Sequence, residues 1–148
     1  MTDKLFNTPF EMSLHILLLL GVVDSEFTIE RITDYDFIAV YAQDFGFNAS
    51  ALNGDNGFAF SELTVKRKLM KEAVKDLVLD GLVIAQDSKD GIVYRLSSSG
   101  KSMSNSLQSE YALKYCKVIK QVHRRYRSRS DIELSGIINK QSMKAGRR

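Results

Sequence analysis

Cysteine occurs once, at Cys116, and proline once, at Pro9. A single thiol excludes an internal disulfide framework and a zinc site built on cysteines. A single proline, with no long serine- or glycine-rich tract, argues for a mostly helical chain without a flexible linker. Four signatures of catalysis are also missing: the phosphate loop G-x-x-x-x-G-K-[ST], the dinucleotide fingerprint G-x-G-x-x-G, the nucleophile elbow G-x-S-x-G and the zinc helix H-E-x-x-H. The two histidines, His15 and His123, are far apart in sequence, and one cysteine suggests no Cys/His nucleophile pair. Asp34, Asp36 and Asp44 would form a metal site only by accident of folding. The expectation is a protein that is not an enzyme and carries no cofactor or metal of its own.

A long hydrophobic run is lacking too, though one stretch imitates it. From Leu14 to Val23 only His15 and Gly21 are not strongly apolar. A spanning helix needs roughly 20 apolar residues, and this run is too short. A signal peptide needs a basic start and a small-residue cleavage site, yet Asp3 and Glu11 flank Lys4 and the run ends in V-V-D-S-E. Thr8-Pro9-Phe10-Glu11 instead spells a helix start, with Thr8 as cap, Pro9 at the first helical position and Glu11 completing a T-x-x-E box. The stretch predicts a capped, deeply buried helix in a soluble, cytoplasmic chain, with His15 in a structural role.

What is present is an uneven charge. The 148 residues carry a formal net +3. Residues 1–112 hold 10 Lys/Arg and 16 Asp/Glu, net −6, whereas residues 113–148 hold 11 and 2, net +9. An acidic body with a basic C-terminal arm is the informative description. The length suits one domain with a real core.

Along the chain, Ile29, Ile32, Phe37, Val40 and Tyr41 recur at helical spacing, predicting one bent helix or two short ones, with Asp34 as a cap for the second piece. Residues 44–60 break the period with Gly46, Gly54 and Gly57 and read as a long surface loop. Its Phe45, Phe47, Phe58 and Phe60 either pin the loop to the core or form a partner-binding edge, for which Phe47 and Phe58 are the candidates. Ser61 to Leu79 predicts a helix with Leu69, Met70, Ala73, Val74 and Leu77 on one face and Gly81 as its stop. Leu82-Val83-Ile84 and Ile92-Val93-Tyr94, separated by a polar turn ending in Asp90-Gly91, predict a hairpin. A further helix follows with Tyr111, Tyr115, Val118, Ile119 and Val122 on one face and Cys116 buried or half-buried. Leu17, Leu18, Leu69, Leu77 and Tyr94 are expected to be largely buried.

This order predicts a mainly α fold with a small β-hairpin: a winged helix-turn-helix-like domain plus a long C-terminal helix and basic tail. The boundaries are residues 1–126 for the domain with its returning helix and 127–148 for a flexible tail, in which Ile132, Leu134, Ile137 and Ile138 have docking capacity.

Two basic surfaces are candidates for contact with nucleic acid or an acidic partner. The first is Arg67, Lys68, Lys71 and Lys75, on the helix that would read DNA in a winged helix; the plain alternative is a solvated helix face. The second is the arm, densest at Arg124, Arg125, Arg127 and Arg129, which would track phosphates without sequence preference, dock an acidic partner, or merely remain solvated.

The ordered set of local patterns resembles a known family. Asn7–Leu20 (N-T-P-F-E-x-x-L-x-I-L-L-L-L), Arg31–Gly46 (R-I-T-D-Y-D-F-I-A-V-Y-A-Q-D-F-G) and Phe58–Met70 (F-x-x-S-E-L-x-V-K-R-K-L-M) carry it, followed by D-G-I-V-Y-R-L-S-S-S-G and S-E-Y-A-L-K-Y. The chain resembles the middle component of bacterial ABC three-component conflict systems, the group that includes Lamassu defence. The resemblance covers roughly residues 5–122 and leaves the basic tail outside. It implies a small winged-helix adaptor that bridges or regulates an SMC/Rad50-like ATPase and an effector nuclease in anti-phage or anti-plasmid defence, with ATP and metal belonging to those partners and DNA contacted by the complex. The competing reading is a stand-alone winged-helix transcription regulator, expected to be a symmetric dimer on an operator.

Overall fold

The computed structural model of the chain describes residues 8–48 and 60–146. The elements run α1 (Pro9–Val23), β1 (Phe27–Thr28), α2 (Ile29–Val40), a 3-10 turn (Ala42–Phe45), α3 (Phe60–Leu79), β2 (Val83–Ser88), β3 (Gly91–Leu96), α4 (Ser98–Ser106), α5 (Glu110–Tyr126) and α6 (Asp131–Gly146). The fold is mainly helical with one small antiparallel sheet.

The opening helix forms as its cap dictates. The Thr8 side chain accepts from the Glu11 N–H at 3.1 Å, and Pro9 occupies the first turn, where its missing donor has no consequence. Met12, Ile16 and Leu17 to Leu20 are buried, as is His15. A helix apolar nearly all round must be enclosed, and α1 packs against α2, α3, α4 and α5. No described helix is long and apolar enough to cross a membrane.

Helix α2 is the centre of the molecule. Every residue from Arg31 to Val40 is buried, because α1, α3, α5, α6 and the sheet surround it. It is a single helix, capped by the Thr28 side chain, which accepts from the Arg31 N–H at 3.2 Å. Asp34 therefore lies mid-helix and buried; it caps nothing. Enclosure by neighbours overrides the local preference of aspartate for a helix start.

The hairpin pairs from Val83↔Leu96 to Ser88↔Gly91. A third strand joins it: Phe27 pairs with Tyr94 and Thr28 with Val93, giving the order β1-β3-β2. Two residues are too few to show a strand period in sequence. Helix α3 stops where expected. Gly81 adopts φ +76°, and the N–H groups of Gly81 and Leu82 close onto the carbonyls of Val78 and Leu77. Gly100 marks a close approach: a Cβ there would lie 2.0 Å from the Leu82 carbonyl oxygen.

Leu17, Leu18 and Leu77 are buried, whereas Leu69 and Tyr94 are only half-buried, packed at the edge of the core. Tyr115, Val118, Ile119 and Val122 share the buried face of α5, with Tyr111 and Cys116 half-buried beside them.

The expected flexible tail is corrected by α6, which begins four residues beyond position 127 and docks on α2. Leu134 and Ile138 are fully buried, Ile137 is half-buried and Ile132 points out. The charge of the arm disguised an amphipathic helix. Its anchor is Arg31. One guanidinium nitrogen donates to the Arg129 carbonyl at 2.7 Å and to Asp131 Oδ1 at 3.0 Å, and the other donates to the Tyr126 carbonyl at 3.0 Å. The Tyr126 carbonyl ends α5, whose last acceptors lack helical partners, and the Arg129 carbonyl lies in the turn that follows. Arg31 thus binds the α5–α6 turn to α2.

Candidate functional site

Polar chemistry in the interior concentrates on Asp36, in the middle of α2 and wholly buried. Oδ1 accepts from His15 Nδ1 at 2.7 Å and from the Tyr115 hydroxyl at 2.5 Å, and Oδ2 accepts from Lys66 Nζ at 2.5 Å. Four helices, α1, α2, α3 and α5, each contribute one of these groups. The far side of the imidazole, Nε2, lies 3.3 Å from Glu11 Oε2 and 3.3 Å from the Tyr111 hydroxyl. With a carboxylate at each nitrogen, the imidazolium is the form that donates to both.

Burial alone would raise the Asp36 pKa, but the charges of Lys66 and His15 overcome it and hold the carboxyl well below its usual range. Burial alone would lower the His15 pKa, but Asp36 outweighs it and the pKa is raised. The Tyr115 pKa is pushed well up by burial and by Asp36. The cluster is a sealed ion-pair hub that joins four helices. His15 is 1% exposed.

A second polar set joins α2 to α6. Thr28 donates to Asp131 Oδ2 at 2.6 Å, and Ser135 donates to Asp34 Oδ2 at 3.1 Å. Asp34 Oδ1 is buried without a hydrogen-bond partner. Burial raises the Asp34 pKa to about 6, with Ser135 and the charge of Arg67 acting against the rise.

The outward faces carry the candidate contact residues, and the fold redistributes them. Lys68, Lys71 and Lys75 are exposed on α3, but Arg67 is half-buried and its charge acts on Asp34. The four arginines of the arm do not form one patch. Arg124 lies on the outer face of α5. Arg125 lies 3.7 Å from the centre of the Phe47 ring and donates to the Phe45 carbonyl at 2.9 Å. Arg127 caps α5, and Arg129 stands 3.7 Å from Glu133. Of the two readings open for Phe47, core pin or partner-binding edge, the structure has the first: it is buried at 7% against Tyr126 and Arg125. Phe58 lies outside the described residues.

One feature escaped the sequence reading. Lys66 sits on the buried face of α3 between Leu63 and Met70; a lysine in an apolar row was the available signal. On α5, Lys117, Lys120 and Arg124, part of the basic arm read from the sequence, fall with Leu113 at i, i+4, i+7 and i+11, all exposed, so the outer face of that helix is a basic stripe with one exposed leucine.

The chain matches a family model, the ABC-three component (ABC-3C) system Middle Component 2, over residues 5–148. The chain belongs to that family. No curated protein and no solved structure matches it. The Middle Component 2 match runs through α5 and α6, so the basic C-terminal region is part of the family pattern and not an addition to it. The family description makes the chain one component of a system with others.

Proposed function

We propose that this Middle Component 2 chain is a non-catalytic adaptor that bridges or regulates an SMC/Rad50-like ABC ATPase and an effector nuclease in a Lamassu-type defence system. The observation that carries the reading is the family match across residues 5–148, joined to a body whose buried titratable groups are bound to one another. Asp36 bonds to both His15 and Lys66, and all three are almost wholly buried, which suits a scaffold. The outer faces of α3 and α5 carry exposed lysines, which suit contact with acidic partners or with DNA held by the complex.

The succession α1-β1-α2-α3-β2-β3 with strand order β1-β3-β2 supports a winged-helix reading, with α3 as the helix that follows the turn and β2–β3 as the wing. A cytoplasmic location follows from that role. The stand-alone regulator has no comparable support, since the matched family is named for a part of a multi-component system.

The test is co-expression with the other components of its system. The adaptor reading expects one stoichiometric complex by size exclusion, and ATPase or nuclease activity that changes when this chain is omitted. A chain that stays apart from those components and binds a palindromic operator as a dimer would refute it.

A further inference from the structure

Helix α3 and the sheet form an open groove of about 340 Å³. Val74 and Val78 of α3 and Tyr94 of β3 give it an apolar floor, with Lys71 and Lys75 at its side. Leu79, the last residue of α3, also lines it and is 75% exposed. Neither lysine has a carboxylate within ion-pair distance among the described residues. An apolar groove beside an exposed leucine offers a surface that a partner's apolar side chains can cover.

The two halves of the groove select the occupant together. A nucleic-acid backbone would meet the lysines but leave valine and leucine surface against phosphate, which is recognised by cations and N–H donors. A purely apolar partner would bury two ammonium groups without counter-charge, which is strongly unfavourable. A polypeptide segment with apolar side chains on one face and carboxylates along its edge satisfies both. Lys71 and Lys75 are four residues apart, one helical turn, so carboxylates at the same spacing on a docked helix meet them in register.

We propose that the groove between α3 and the sheet docks an acidic amphipathic segment of another component of the three-component system. The proposal rests on the adaptor reading and names the surface it uses. A photo-cross-linking residue at position 79, exposed and at a helix end, is introduced into the chain co-expressed with the other components. The expected product joins position 79 to an acidic segment of one of them. The double variant Lys71→Glu/Lys75→Glu is expected to weaken that assembly at least tenfold with an unchanged unfolding temperature. Lysines placed at the mapped carboxylates are expected to restore it. Cross-linking to a second copy, to nucleic acid or within the same chain overturns the proposal, as does a complex that forms equally well with the double variant; in each case the adaptor reading survives. If the wild-type chain does not assemble with the other components at all, the adaptor reading falls and the groove assignment with it.

Discussion

Replacing Lys66 with methionine keeps most of the side-chain volume and removes the charge that faces Asp36. In the folded protein Asp36 is 0% exposed and Lys66 5% exposed, so water cannot replace the lost ammonium. Removing one partner of such a buried pair costs about 3–5 kcal/mol, because the remaining charge stays desolvated. For a chain of this size that corresponds to roughly 10–15 °C in unfolding temperature. His15 and Tyr115 still reach Asp36, which places the expected loss toward the lower end.

The pH dependence supplies a second, sharper signature. In the wild type the folded Asp36 pKa is depressed, so its stabilisation is present above the unfolded value of about 4 and is lost as pH falls toward the folded one. Without Lys66 the opposing effect of burial gains weight and the folded pKa rises. The difference between variant and wild type is therefore largest at pH 7 and smaller at pH 4, where Asp36 is closer to protonation in the variant, and it shrinks further as the pH falls toward the wild-type folded value. Urea unfolding followed by circular dichroism at both pH values measures it. A loss below about 1 kcal/mol at pH 7, the range of an exposed pair, would refute the buried hub. A loss that did not change with pH would refute the role of the Asp36 charge.

Three further outcomes are expected. Asp34→Asn removes a carboxylate whose pKa burial raises to about 6, so the variant gains on the order of 1–2 kcal/mol above pH 6 and nothing near pH 4; equal effects at both pH values would contradict this. Gly100→Ala places a methyl group 2.0 Å from the Leu82 carbonyl and costs about 1–3 kcal/mol, whereas Gly136→Ala in α6 meets nothing within 4 Å and gains about 0.5–1 kcal/mol; thermal unfolding of the pair gives the comparison. Arg31→Met frees the α5–α6 turn, and limited proteolysis is expected to cut near residues 127–131 faster than in the wild type while α1 stays protected.

Family membership covers the chain to its last residue, yet the resemblance visible in local patterns stopped near residue 122. The difference has a physical source. In the C-terminal stretch the apolar residues that matter, Leu134 and Ile138, stand one turn apart among lysines and serines. Such a spacing is weak evidence for a helix until a partner face is known. Arg31 provides that face, and it is separated from Asp131 by 100 residues.

The sequence by itself determined the elements whose signals are local. The T-P-x-E start of α1 fixes its first turn through a cap, a preset φ and an acidic residue at the positive end of the helix. The apolar rows of α3 and α5 fix which faces turn inward, and the hairpin follows from two β-rich runs around a short polar turn. The tertiary structure alone decided the charges. Glu11, His15, Asp36, Lys66 and Tyr115 become one hub only when four helices meet, and apart from the one-turn spacing of Glu11 and His15 nothing in their positions records that meeting. The same holds for Arg125, drawn out of a basic run to cover Phe47, and for Phe47 itself. Whether a charge is solvated, paired or buried depends on what lies within a few ångströms of it in space, and helical or strand period says only which way a side chain points.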